Sequence, residues 1–186
     1  MNIRRVAVAG LAAAGVTLGA ATVATPASAD TSPYAEGTTL GPWPVLKRPV
    51  KNENVRALQW FLNCLGHKVD KPSNFGPATQ DRVRRLQQTH RIPGGADGNV
   101  GAYTWMAVLG KASPMGYKQR NDCVSALQVL LNKWDYGHDL AIDGAHGDNT
   151  RTKLRRFQHG HGLPVTGHPD TNTLYKLIAT RPHVAK

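Results

Sequence analysis

The stretch that decides the fold is FGPATQDRVRRLQQTHRIPGGADGNVGAYTWMAVL, residues 75–109. Gly76 permits a tight turn, and Pro77 suits the first position of a helix, where its missing N–H is not needed. The apolar residues that follow share one helical face, which predicts an amphipathic helix over 79–89. A glycine-rich turn ends this helix and leads into a shorter one that carries Trp105. The stretch therefore predicts two helices, each preceded by a turn.

The same plan returns further along the chain. Leu58-Gln59 recurs as Leu127-Gln128, 69 residues later, and V-R-R-L-Q at 83–87 recurs as L-R-R-F-Q at 154–158, 71 residues later. Offsets that change only between helices are typical of a duplicated unit with insertions in its loops. An additional helix is predicted ahead of each copy of the stretch, because apolar residues there form a buried stripe. The chain is therefore predicted to be all-α, with two tandem three-helix units.

The amino-terminal residues have the pattern of a secretory signal peptide. A basic start at Arg4-Arg5 precedes an apolar run, and Ala27-Ser28-Ala29 gives an A-x-A cleavage site. We expect cleavage after Ala29 and export, and no other stretch is apolar enough to span a bilayer. The predicted domains are a signal peptide (1–29), an extended tether (30–51) that docks near its end, a first unit (52–110), a linker (111–120), a second unit (121–180) and a tail (181–186).

Charge and cysteine content narrow the range of partners. The chain carries a formal net charge of +11, which favours anionic partners such as wall polymers, peptide carboxylates, anionic lipid or nucleic acid. Its two cysteines, in an exported chain, favour a disulfide over a metal site. Cys64 lies near the end of the first helix of one unit and Cys123 near the start of the first helix of the other. The predicted bond would therefore join the two units.

Several short motifs, in the same order in both units, carry a family resemblance. They are Leu-Gln on the first helix, a G-x-x-T turn at 76–79, a helix ending in Leu-Gln, Ile-Pro, and D-G-x-x-G-x-x-T-W at 97–105. Together they resemble the bacterial peptidoglycan-binding domain of type 1. The resemblance implies a three-helix module that accompanies cell-wall hydrolases and holds them on peptidoglycan. The second unit departs from the pattern, with His146 and Leu174 at the positions of Phe75 and Trp105.

The resemblance predicts a non-catalytic secreted protein that binds peptidoglycan or another anionic wall polymer. Two units, a tether and a linker leave no residues for a catalytic domain, and the surroundings of Cys123 are unlike those of a cysteine nucleophile. We expect a monomer outside the cell or on its wall, with no nucleic-acid partner, no membrane span after cleavage and no cofactor. The histidines at 159–161 lack a zinc spacing, so no metal is expected. Two alternatives stay open: a basic protein that binds anionic polymers, and an inhibitor or structural wall protein that uses the units as a scaffold.

The ligand site is predicted in the first unit. Arg82 is expected to flank a groove lined by Asn74 and Phe75 and by Tyr103 or Trp105. Its guanidinium would pair with a peptide carboxylate, while an aromatic face meets sugar or peptide carbon. Two plainer interpretations stay open, in which the arginines are simply solvated and Trp105 is a core residue.

Two further pairs of residues recur in equivalent places. Gln87 and Gln158 lie at the edge of the apolar stripe. A side-chain amide there can both donate and accept hydrogen bonds, so each is expected to hold the backbone of a neighbouring glycine loop in place. Arg84, like its counterpart Arg155, is predicted to face water, so that packing does not account for its presence in both units.

Overall fold

The computed structural model describes residues 42–112 and 114–180. Six helices follow one another: α1 (Glu53–Cys64), α2 (Pro77–Thr89), α3 (Ala102–Lys111), α4 (Asp122–Asn132), α5 (Asp148–Gly160) and α6 (Thr171–Ala179). Within the described ranges, β-structure is limited to three isolated bridges, so the all-α prediction is confirmed. The first repeat contains α1–α3 and the second α4–α6. The predicted signal peptide, its cleavage site, most of the tether and the tail lie outside the described residues.

The helices begin where short polar residues and glycines allow. Asn52 Oδ1 accepts a hydrogen bond of 3.0 Å from the backbone N–H of Val55, and Asn121 caps α4 in the same way. Asp170 caps α6 through the N–H of Thr173, at 2.7 Å. Such side-chain acceptors satisfy backbone donors that have no partner within the helix.

Helices α1 and α4 form the centre of the molecule, because they pack against each other more extensively than any other pair. Their facing stripes are fully buried and include Leu58, Phe61, Leu127 and Leu131. Burying such side chains contributes about 1.5–3 kcal/mol each. The two repeats therefore share one hydrophobic core.

The two central helices run antiparallel, and a different bond holds each end of the pair. At one end, Cys64 and Cys123 form the predicted disulfide, with their Cα atoms 5.3 Å apart. At the other, the Nζ of Lys133 donates to the side-chain oxygen of Asn54, at 2.8 Å. At the 69-residue offset, Lys133 is the counterpart of Cys64, and Cys123 is the counterpart of Asn54. The disulfide and the Lys133–Asn54 hydrogen bond therefore join equivalent positions of the duplicated unit, one covalently and the other through a hydrogen bond.

The segment before α1 packs on the first repeat. Leu46 is buried and exchanges backbone hydrogen bonds with Val100, at 3.0 and 2.9 Å. The carbonyl of Pro44 accepts a 2.9 Å hydrogen bond from the indole N–H of Trp105. The prediction that the tether docks near its end is therefore confirmed for its described part. Among α1–α6, no helix has both the length and the apolar composition that crossing a membrane requires.

Candidate functional site

A buried glutamine holds each of the four loops within the two repeats in place. In the first repeat, the side-chain oxygen of Gln87 accepts from the N–H of Gly98, at 2.9 Å. Its amide nitrogen donates to the carbonyl of Asn99, at 2.8 Å, and to the hydroxyl of Thr104, at 3.2 Å. One amide thus fixes a turn and the start of the following helix. The prediction that Gln87 ties down a glycine loop is confirmed.

The same arrangement, which we call the glutamine clamp, occurs four times. Its other members are Gln59 with Ser73, Asn74 and Thr79; Gln128 with Gly144, Ala145 and Thr150; and Gln158 with Gly167, His168 and Thr173. In every case the residue that donates its N–H has a positive φ, between 62° and 77°. The sequence shows the signal, since a threonine follows that residue by six positions each time. We identified only two of the four glutamines from the sequence.

Aspartates reinforce two of these clamps. Asp143 lies next to Gly144, and its pKa is lowered chiefly by the hydrogen bond from Gln128 and then by the N–H of Ala145. Burial raises the pKa of Asp97, but hydrogen bonds from Asn99 and Gln87 outweigh it, so the net direction is again downward. Both carboxylates therefore stay ionised at neutral pH, where they accept the loop's hydrogen bonds.

Two of the three aromatic residues of the predicted groove are core residues. Phe75 is 1% exposed and Trp105 is 0% exposed. The indole N–H of Trp105 already donates to Pro44, so the ring has neither an open face nor a free donor. This corrects the expectation that Phe75 or Trp105 lines a surface groove, and it supports the plainer interpretation of Trp105.

Arg82 does line a cleft, of about 450 Å³, between α2 and the loop before it. Its Nε donates to the carbonyl of Lys68, at 2.8 Å, and its Nη1 lies 3.3 Å from a carboxylate oxygen of Asp81. We call this the first-repeat cleft; it is lined by Asn63, Lys68–Lys71, Ala78, Arg82 and Asp122. The guanidinium is therefore partly engaged by its own repeat.

The other two predicted residues lie apart from this cleft. Asn74 is exposed in the loop before α2, where its carbonyl accepts from Gln59. Tyr103 is 41% exposed on the first turn of α3. Neither lines the first-repeat cleft, so the structure does not bring the five predicted residues together. Ligand contact by Arg82, Asn74 and Tyr103 stays a prediction.

The second repeat has a larger cleft in the equivalent position, of about 670 Å³. We call it the second-repeat cleft; its polar lining includes Asp139, Asp143, Asp148, Asn149, Lys153 and Arg156. Sequence reasoning placed the site in the other repeat because this one lacks the family's aromatic residues. Those residues are buried in the first repeat, so their loss does not remove a binding surface.

Lys153 stands where the first repeat has Arg82, but it is only 3% exposed. Its Nζ lies 3.2 Å from both the side-chain oxygen of Asn132 and the carbonyl of His138, and 3.4 Å from a carboxylate oxygen of Asp139. An ammonium group has three protons to donate, and these acceptors use them. Lys153 therefore holds the cleft wall in place and has no proton left for a ligand.

An asparagine on the first helix of each repeat fixes the loop that forms the cleft wall. Asn132 exchanges two hydrogen bonds with the backbone of Leu140, at 2.8 and 2.9 Å. Asn63 does the same with Val69, at 2.9 and 2.7 Å. The two clefts are thus built by the same residues and differ in their lining.

The described residues include no group of three or more histidine, cysteine or acidic side chains that could hold a metal ion. Two segments of the chain, 51–108 and 120–177, match the model of a protein family described as "Putative peptidoglycan binding domain". Together they cover more than half of the chain. Searches of curated proteins and of solved structures gave no match.

Proposed function

Since the chain belongs to this peptidoglycan-binding domain family through two consecutive copies, we propose that it is an exported, non-catalytic protein that holds on to cell-wall peptidoglycan. The observation that carries the proposal is the double match itself. Both copies keep their three helices and their glutamine clamps, and both have an open cleft in the same place. Two sites on one chain gain avidity on a repeating polymer.

Sedimentation with insoluble peptidoglycan tests this proposal. The polymer should first be stripped of covalently attached anionic polymers, so that simple charge attraction to them does not contribute. We expect the protein to sediment with it at moderate salt and to release no dye from dye-labelled peptidoglycan. Dye release that follows the purified protein would contradict a non-catalytic role.

The formal net charge of +11 favours a second candidate, the binding of anionic polymers through charge alone. Such binding weakens steeply as salt screens the surface charges. Retention on peptidoglycan that survives several-fold more salt than retention on an anionic resin would argue against this candidate.

Export itself is a separate part of the proposal. The signal-peptide pattern of residues 1–29 supports it, and the intact mass of protein collected from the culture medium tests it. A mature chain that starts far from Asp30 would contradict the cleavage site. We also retain 52–110 and 121–180 as the proposed bounds of the two units.

A further inference from the structure

We propose that the second-repeat cleft is the principal ligand site and that it binds the peptide part of the polymer through a free amino group. This inference rests on the proposed function and deepens it, because it names the repeat and the chemical group that is recognised. It is argued from the charges, the unused hydrogen-bonding groups and the shape of the cleft.

The lining of the second-repeat cleft is acidic in a strongly basic protein. Asp139, Asp143 and Asp148 outnumber the two cations Lys153 and Arg156. The first-repeat cleft has the opposite balance, since Lys68, Lys71 and Arg82 outnumber Asp70 and Asp122. The two equivalent clefts therefore attract ligand groups of opposite charge.

The unused hydrogen-bonding capacity of the second-repeat cleft consists mainly of acceptors. Each carboxylate uses one oxygen within the protein: Asp139 with Lys153, Asp143 with Gln128, and Asp148 with the hydroxyl of Tyr117. The second oxygen of each accepts no hydrogen bond from another described residue. Of the two cations, Lys153 is saturated, whereas Arg156 donates one hydrogen bond to the carbonyl of Tyr136 and keeps its other N–H groups. A ligand that fits this lining must supply donors and positive charge, as a primary ammonium group does.

A pocket of about 510 Å³ with a mainly apolar surface adjoins the cleft and shares Tyr136, Thr152 and Arg156 with it. Its other lining residues are Arg155, His159, Gly160 and Val165, the last of which is 40% exposed. The polar cleft and the apolar pocket together suit a ligand with an amino group at one end and small apolar groups beside it. A peptide of short apolar residues and a diamino acid has this character, whereas a sugar chain presents hydroxyl groups throughout.

Matched substitutions separate the two clefts. Asn149 and Ala78 are equivalent at the 71-residue offset, and each is exposed as the second residue of its helix and lines its own cleft. We expect Asn149→Trp to fill the second-repeat cleft and to weaken binding to peptidoglycan roughly tenfold, the loss that follows from one charge-assisted hydrogen bond. Ala78→Trp should weaken binding much less, because it leaves the principal site open. Circular dichroism and thermal unfolding show whether each variant is folded.

A second pair tests the charge without filling the space. Asp139, whose side chain is 81% exposed, is changed to asparagine, and Asp70 in the first-repeat cleft is changed likewise. We expect Asp139→Asn to weaken binding more than Asp70→Asn does, and equal effects of the two changes would contradict the choice of cleft.

Three forms of the polymer identify the group that is bound: intact peptidoglycan, peptidoglycan whose free amino groups are blocked by acetylation, and glycan strands freed of their peptides. We expect strong binding to the first and at least roughly tenfold weaker binding to the other two.

Equal binding to the acetylated form would overturn the inference that an amino group is recognised. Equal binding to peptide-free glycan would overturn the inference that the peptide is the part that binds. Weakening by Ala78→Trp but not by Asn149→Trp would overturn the choice of repeat while leaving the proposed function intact. A parent protein that binds none of the three forms would overturn the proposed function, and with it this inference.

Discussion

Lys133 carries a charge into the region where α6 ends and α1 begins. Its Nζ donates to the carbonyl of Leu177, in the last turn of α6, and to Asn54. The last carbonyls of a helix have no partner within it and carry a partial negative charge, so a lysine is a suitable cap. Burial nevertheless lowers the pKa of Lys133 to about 8, although Glu53 opposes the shift.

This pKa predicts how stability depends on pH. Between pH 8 and 10.5 the unfolded chain holds the Lys133 proton more tightly than the folded protein does, so folding becomes more favourable as pH rises through that range. Relative to a Lys133→Met variant, the parent should gain about 3 kcal/mol in free energy of unfolding from pH 7 to pH 11. Urea denaturation of both proteins at several pH values measures the difference. A difference that does not change with pH would show that the ammonium is well solvated.

His146 should make stability depend on pH in the same direction, but in the acid range. It occupies the buried place of Phe75; its Nδ1 hydrogen-bonds the carbonyl of Met115, and its Nε2 has no partner among the described residues. Burial lowers its pKa; the Met115 bond partly offsets this, and His168 and Arg151 lower it further. Stability should therefore be lost as pH falls below about 6.5, because the unfolded chain then binds the proton more readily. A His146→Phe variant should lose less stability between pH 7 and pH 5 than the parent, and equal losses would contradict this.

For Arg84, the helical periodicity predicts exposure correctly but does not predict what the side-chain stem contacts. Its exposure agrees with the prediction, but its stem has a packing role that the sequence did not reveal. A Cβ atom at Gly98 would lie 2.9 Å from the Cγ of Arg84, and one at Gly167 would lie 3.2 Å from the Cγ of Arg155. Long cationic side chains cover apolar surface while keeping their charge in water. Packing therefore does account for an arginine at this position in both repeats.

The glutamine clamp is the repeating element of the fold, and it joins consecutive helices within each repeat. Gln87→Ala would remove four hydrogen bonds, to Asp97, Gly98, Asn99 and Thr104, and leave the N–H of Gly98 without its acceptor. We expect a loss of about 3 kcal/mol in free energy of unfolding. The neighbouring Gln88→Ala, on the exposed face of α2, is the control and should change stability by less than about 0.5 kcal/mol.

A Gln87→Glu variant sharpens this test. The glutamate side chain keeps the shape of glutamine and the oxygen that accepts from the N–H of Gly98. It replaces the amide nitrogen that donates to Asn99 and Asp97 with a second oxygen, which can only accept. We expect it to be at least as unstable as Gln87→Ala at neutral pH. Parent-like stability would mean that the bond to Gly98 alone holds the loop.

Helices could be predicted from the sequence because their signals are local. Apolar stripes, capping residues and glycine turns lie within a few residues of each helix, and all six helices appear where these signals place them. The binding surface could not be predicted in the same way, because it depends on contacts between distant residues. Whether Trp105 is open or buried is decided by Pro44, 61 residues earlier in the chain. The size of each cleft depends on the loop path that Asn63 and Asn132 fix.

For the whole molecule, the shared interface of α1 and α4 makes each repeat part of the other's core. The disulfide at one end of this interface closes a loop of 59 residues. In the chain-entropy model such a link contributes about 4 kcal/mol, because it restricts the unfolded chain. A variant with Cys64→Ala and Cys123→Ala should therefore fold with that much less stability in urea denaturation under non-reducing conditions. Reduction of the parent should lower its stability by a similar amount, and the double variant should not respond to reductant.

A protein held on a wall at one site and pulled at another is under tension, and the disulfide decides which part of the chain bears it. Force applied across residues 42–180 passes from Cys64 directly to Cys123 through the disulfide. The chain between the two cysteines, which contains α2, α3 and most of the first-repeat cleft, therefore bears no force. The second-repeat cleft lies wholly on the loaded side. In single-molecule stretching, the fully extended length should increase by roughly 200 Å when the bond is reduced, since each freed residue adds about 3.4 Å. Equal lengths with and without reductant would mean that the bond is absent. The cleft proposed to bind the peptide is therefore the one that tension can open.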